Sequence, residues 1–176
     1  KYGLINFATA FIGYFTILTD YGFNLSATQE VSVNRNSKEK ISEIFSSVIT
    51  IKSLLFFLSG LIFIAVIFLF PLFHPHIELF TVTFLGVMGT VLFPLWLYQG
   101  VEQMKYILII NVMIRSVTVI MIFVIVKTEN DFLLLAVLYT ITHLCVGITG
   151  LIFAVRKFNL NFIFPSKLQL LEQLQK

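Results

Sequence analysis

Residues 56–70 read FFLSGLIFIAVIFLF, fifteen positions without a charge and without any alternation of apolar with polar. That run decides the fold class. Strands of a membrane barrel span only about 9–11 residues and alternate in polarity, whereas a helix crossing a ~30 Å hydrocarbon core needs about 20 mostly apolar residues. Five stretches of the chain meet the helical requirement: 4–25, 44–70, 79–98, 107–126 and 132–155. Composition agrees, since 58% of the residues are hydrophobic and 12% charged, against about half and about a quarter in a soluble domain. A small domain cannot bury that much apolar surface within itself, so lipid is the solvent for most of the chain. The expected fold is all-α, a polytopic transmembrane bundle of about five spans.

The connections between these stretches are short. PLFHPHIE carries Pro71 and Pro75 and interrupts the second stretch, because proline has no amide hydrogen to donate. GVEQMKY follows the third stretch, and KTEND separates the fourth from the fifth. Pro94 falls within the third stretch and predicts a kink there. Lysine and arginine near the span ends set orientation. Arg35, Lys38, Lys40, Lys105, Arg156, Lys157 and Lys167 fall on one side; the other has Lys127 and the terminal Lys1. The basic side is predicted to be cytoplasmic, with the HPH and KTEND loops on the outer side. Residues 1–159 form the bundle in this reading. Residues 160–176 form a short amphipathic helix on the cytoplasmic interface, with Ser166 and Gln169 in a capping-box pattern and leucines at 168, 171 and 174. A solvent-exposed linker helix is the other reading of that segment. The chain opens on Lys1 and closes in a polar helix-forming run, so it is expected to be part of a longer protein.

Several activities lack their usual signatures. The sequence has no GxGxxG, P-loop, HExxH or CxxC motif, and Cys145 is its single cysteine. No cofactor and no metal are expected, His74 and His76 reading as a solvated turn. A formal charge of +3 gives no reason to expect nucleic acid as a partner; the expected partner is the bilayer. The informative residues are polar groups inside the apolar stretches, because a charge at the bilayer centre costs roughly 2.5–3.5 kcal/mol even on insertion scales. Arg115 lies near the middle of the fourth stretch, and Asn111 and Thr118 share its helical face. Lys52 lies one to two turns inside the second stretch, where it either snorkels to the interface or stays within. In the first stretch Asn6, Thr9, Gly13, Thr16, Asp20 and Asn24 recur every three or four residues. Such a stripe is either a packing seam or the wall of a wet cavity, and Asp20 fits a cavity or an ion pair with Lys52 or Arg115. His143 reads as a hydrogen-bond partner between helices or as part of a polar cavity.

Two blocks carry a family resemblance. YGLINFATAFIGYFTILTDYGFNLSATQEVS resembles the second-helix region of bacterial lipid-linked oligosaccharide flippases, the Wzx-type O-antigen and capsule translocases. The match rests on Asp20, Gly22, Phe23, Asn24 and Glu30, with Tyr2-Gly3 and Thr28 around them. LFPLWLYQGVEQMKY is similar to the end of that family's fourth helix, through Pro94, Trp96, Gln99, Gly100, Glu102 and Lys105. Gln29 departs from the pattern, which has a basic residue there.

The resemblance implies a superfamily shared with multidrug-and-toxin extruders, built as two bundles of about six helices across a cavity that opens alternately to either side. This chain would supply helices two to six of the first bundle. The implied substrate is an undecaprenyl-diphosphate-linked oligosaccharide moved from the cytoplasmic to the periplasmic leaflet. A polysaccharide polymerase and a chain-length regulator would be pathway partners, and any coupling ion is left open. On that reading Arg115 and then Lys52 are the leading anion contacts, Asn111, Asn24 and the threonines suit sugar hydroxyls, and the protein is not an enzyme. The competing expectation is a cation-coupled extruder of small amphipathic molecules, which would need acids rather than bases in its core.

Overall fold

The computed structural model describes residues 2–128 and 131–174. Lys1, Glu129, Asn130, Gln175 and Lys176 lie outside the described residues, as do the side chains of Tyr2, Lys167, Leu168, Glu172 and Leu174. The described chain is a helical bundle in the order α1 (Tyr2–Asp20), α2 (Phe23–Val33), α3 (Lys38–Leu69), a 3₁₀ turn (Pro71–His76), α4 (Ile77–Leu92), α5 (Leu95–Gly100), α6 (Met104–Ile125), α7 (Phe132–Phe158) and α8 (Lys167–Leu174). Five helical segments are long and apolar enough to cross a membrane: 3–33, 38–69, 71–100, 104–125 and 132–158. Large side chains such as Phe57, Leu61, Phe68, Val117 and Phe123 are exposed on their outer faces, as a lipid-facing surface requires.

Two of the five expected spans are broken. The first was expected to run unbroken through residue 25, but α1 stops at Asp20, and Tyr21 (φ 47°) and Gly22 (φ 86°) both adopt left-handed backbone. Glycine meets no steric penalty there, so Gly22 permits the break between α1 and α2. At Pro94 the expected kink is a full interruption. Phe93 is extended at ψ 108° and Pro94 itself sits at ψ 66° between α4 and α5. Proline disfavours helical backbone in the residue before it and withholds its own amide hydrogen. The α3 helix runs the other way, starting six residues before the expected apolar stretch. Its 32 residues measure about 48 Å, more than the hydrocarbon core, and Ser37 caps its start by accepting from the Lys40 amide.

The charged loops behave as the alternation of spans demands. Arg35 pairs with Glu102 at 2.9 Å, and Lys105 and Lys157 both lie over the Tyr106 ring, at 5.1 and 5.8 Å from its centroid. These residues share one end of the bundle, called here the basic end. At the far end, Asp131 accepts from the Thr128 and Lys127 backbone amides, and those bonds hold its carboxyl below the usual carboxylate range.

Helix α8 is tucked in at the basic end. Its capping box is present, with Gln169 Oε1 accepting from the Ser166 amide at 2.8 Å and Ser166 Oγ accepting from the Gln169 amide at 3.3 Å. Gln173 is buried and donates to Glu30 of α2 at 2.7 Å. The segment leading into α8 is pinned to α3, where the Ser42 and Ser46 hydroxyls accept from the Asn161 and Ile163 amides.

Candidate functional site

The tightest joint in the bundle is the crossing of α4 and α7. A Cβ on Gly89 would collide with the His143 carbonyl, one on Gly147 with the Gly89 carbonyl, and one on Gly150 with the Phe93 ring. Small residues let two backbones approach where lipid gives helices no hydrophobic drive to associate. This crossing supports the wall opposite α1, whose polar stripe from Asn6 to Asp20 covers about 21 Å of helix.

Two cavities lie along that stripe. The inner one, in the basic half, has a volume of about 580 Å³, and its walls include Asp20, Asn24, Lys52, Asn111, Arg115 and His143. The outer one, toward the far end, has about 510 Å³, and its walls include Asn6, Thr9, Thr83, Tyr139 and Thr140. Thr16, Thr90 and His143 belong to both walls. The α1 stripe is therefore a cavity wall along its length.

Asp20 lines the inner cavity and is also ion-paired. Its Oδ1 accepts from Lys52 Nζ at 3.0 Å, and its Oδ2 accepts from Asn24 Nδ2 at 2.9 Å. The lysine does not snorkel: it is 3% exposed, and a buried ammonium needs a counter-charge and hydrogen bonds to offset its lost hydration. The contacts also bridge the Tyr21–Gly22 break, tying α1 to both α2 and α3. Arg115 is different. It is the twelfth residue of α6, about 16 Å from the helix start, and it is exposed to the cavity with no carboxylate within ion-pair distance among the described residues. The inner cavity thus carries Lys52 and Arg115 against Asp20, one net positive charge at mid-membrane depth. Asn111 donates one amide hydrogen to the Ile107 carbonyl at 2.8 Å and keeps the rest of its amide for the cavity.

Thr118 is placed elsewhere. It is 8% exposed, with its hydroxyl 2.6 Å from that of Thr142 and 3.1 Å from the Ile114 carbonyl, so it joins α6 to α7 and lines neither cavity. His143 makes no side-chain hydrogen bond among the described residues; it stands between the cavities. Thr90, Thr83 and Tyr139 were not picked out from sequence. The spacing of Gly86, Gly89 and Thr90 against Thr140, His143 and Gly147 was the available signal, since small and polar residues at helical intervals mark a facing surface.

The two sequence blocks that carry the resemblance meet at the basic end, where α2 packs on α5. Phe23 and Trp96 are buried to 1% and 0% exposure. Gly100 admits Val31, whose Cγ1 would lie 2.6 Å from an added Cβ. Thr28 Oγ1 lies 2.6 Å from the Asn24 carbonyl and 3.2 Å from the Trp96 carbonyl, and within 3.4 Å of Gln99 Oε1. Glu30 bonds Gln173 and Glu102 bonds Arg35. Phe23, Glu30, Pro94, Trp96, Gln99, Gly100 and Glu102 thus belong to the joint at the basic end, and Gly22 lines the inner cavity itself. Gln29 is exposed.

Comparison with known proteins gives a consistent picture. The chain is 28% identical over 157 residues to a protein of Escherichia coli (strain K12) named "Putative O-antigen transporter", covering 89% of this chain and 38% of that protein. It is 30% identical over 147 residues to a Shigella dysenteriae protein of the same name, covering 81% of this chain and 35% of that one. The chain therefore spans little more than a third of the length of either relative. No solved structure matches it. A family model described as "Polysaccharide biosynthesis protein" matches residues 1–175. With five helices suited to crossing a bilayer, this is a multi-pass membrane protein, and it belongs to the polysaccharide biosynthesis protein family.

Proposed function

We propose that this chain forms part of a flippase that moves an undecaprenyl-diphosphate-linked oligosaccharide from the cytoplasmic to the periplasmic leaflet of a bacterial inner membrane. It acts as a transporter and not as an enzyme. The observation that carries the reading is Arg115, an unpaired guanidinium open to a polar cavity at mid-membrane depth. A diphosphate cannot enter hydrocarbon without partners for its charge. A guanidinium offers a planar fork of donors matched to phosphate oxygens, and its charge is not already cancelled by a carboxylate. Lys52 is committed to Asp20, so it contributes field and positioning, and Arg115 makes the direct contact. The prenyl tail stays in lipid while the head group crosses between this bundle and a second one elsewhere in the protein. The basic end faces the cytoplasm on the positive-inside rule, which puts the inner cavity on the side where the substrate arrives. A polysaccharide polymerase and a chain-length regulator are the natural downstream partners.

A cation-coupled extruder of small amphipathic molecules would need a carboxylate free to exchange its coupling ion. Asp20 is the carboxylate in these cavity walls, and both of its oxygens are engaged. The flippase reading is tested by complementation with the full-length gene in cells lacking it. Arg115→Ala, at parental membrane levels, should cut surface polysaccharide at least about tenfold, the scale expected on losing a charged phosphate contact. Arg115→Lys should restore part of it. Undiminished polysaccharide in the alanine variant would sink the proposal.

A further inference from the structure

The two cavities differ in hydrogen-bond sense as well as in charge. In the outer cavity the hydroxyl of each lining threonine turns back on the backbone. Thr9 donates to the Ile5 carbonyl at 2.9 Å, Thr83 to Leu79 at 2.8 Å, and Thr140 across the helix crossing to Val82 at 2.8 Å. Thr90 donates to Val87 at 2.7 Å and Thr16 to Ile12 at 3.4 Å, at the junction with the inner cavity. A hydroxyl has one hydrogen to give and lone pairs to accept with. With that hydrogen spent locally, these five side chains present acceptors to the cavity. Its walls contain no lysine, arginine or carboxylate. The inner cavity differs by adding a charged donor, the Arg115 guanidinium, which offers only hydrogens.

We propose that the outer cavity is a subsite for the uncharged sugars of the substrate, and that it excludes the diphosphate. The inference rests on the flippase reading and deepens it. Phosphate oxygens only accept, so the five threonine hydroxyls offer them no hydrogen, and these walls hold no lysine or arginine to balance their charge. Sugar hydroxyls donate, and each finds an acceptor whose own hydrogen is already placed. Asn6 adds an exposed amide, and Tyr139 an exposed ring against which a sugar face can lie. Thr16, Thr90 and His143 are common to both walls, so a head group can hold its diphosphate at Arg115 and its first sugars beyond the junction. The arrangement sets an order along the membrane normal: charge toward the basic end, glycan toward the far end.

The test uses purified full-length protein and two probes, undecaprenyl diphosphate and the undecaprenyl-diphosphate-linked oligosaccharide extracted from the source cells. The parent should bind the sugar-bearing lipid about tenfold more tightly than the bare one, because a site built around substrate hydroxyls discriminates against the analogue lacking them. Asn6→Leu/Thr9→Val, close in shape and confined to the cavity wall, should abolish that gain while leaving affinity for the bare lipid within about twofold. Arg115→Ala should weaken both. A double variant that keeps the sugar gain, or that weakens both probes alike, overturns the subsite and leaves the flippase reading standing. So does a parent that binds the two probes equally. A parent that binds neither overturns the flippase reading itself.

Discussion

The two halves of the bundle are held together by different chemistry. The far half is a phenylalanine lattice: Phe63 stacks on Phe84 at 4.5 Å, Phe15 meets both edge-on, and Phe73 meets Phe80 edge-on at 5.0 Å. In lipid such contacts act through packing and ring quadrupoles, and they leave the neighbouring threonines free to line a cavity without bearing load between helices, Thr140 excepted. The basic half relies on polar ties. Lys52 is clasped by Asp20, Thr28 reaches the Trp96 carbonyl, Tyr98 donates to the Gly150 carbonyl at 2.6 Å, and Gln173 holds Glu30. On the proposed function, the half that accepts the anion is the one whose contacts can be exchanged, and the half that shapes the glycan path is stapled by aromatic rings.

The comparison breaks most completely at the joint serving both halves. Gly89→Leu should cost about 4 kcal/mol or more, since backbone and not a flexible tip occupies the space, and the full-length protein should lose its monodisperse peak on size-exclusion chromatography. Gly13→Ala is the control: an added Cβ there meets nothing within 4 Å, and the peak should be unchanged. If both glycines behave alike, the helix crossing is not the joint described.

Within the basic half the ties should rank by burial. Asp20→Ala strands a lysine whose side chain is 4% exposed and should destabilise by about 3 kcal/mol, seen as a lowered melting temperature. Adding Lys52→Met should recover most of the loss. Arg35→Ala, at a pair whose Arg35 and Glu102 side chains are 53% and 69% exposed, should cost under about 1 kcal/mol. Equal losses for Asp20→Ala and Arg35→Ala, or no recovery in the double variant, would remove the distinction between a buried clasp and a surface pair.

Much of this was legible in the sequence for identifiable reasons. The spans were visible because hydrocarbon tolerates no other regular structure of that length and polarity. The α1 stripe and Arg115 stood out because polar residues there are costly, and the cost is a property of the side chain itself. The breaks were harder to see. Tyr21–Gly22 lies in a stretch whose apolar and polar positions keep helical spacing across the break, so periodicity ran straight through it. Pro94 announced a disturbance, but whether a proline kinks or interrupts a helix depends on what packs around it, here α2, whose Thr28 donates to the Trp96 carbonyl. Thr118 shared a face with Arg115 in projection and still fell outside the cavity, because Thr142 of α7 captured its hydroxyl. The acceptor character of the outer cavity was not readable at all, since it depends on where each hydroxyl hydrogen points.

The central claim is that the inner cavity is wet and positively charged at mid-membrane depth. It is tested most directly with Asn111→Cys in the full-length protein after Cys145→Ala, by comparing modification rates with an anionic and a cationic methanethiosulfonate reagent. The account predicts that the anionic reagent is favoured about tenfold relative to its behaviour on a free thiol, and that the preference collapses when Arg115→Ala is added. No reaction with either reagent, or a preference for the cationic one, would contradict it.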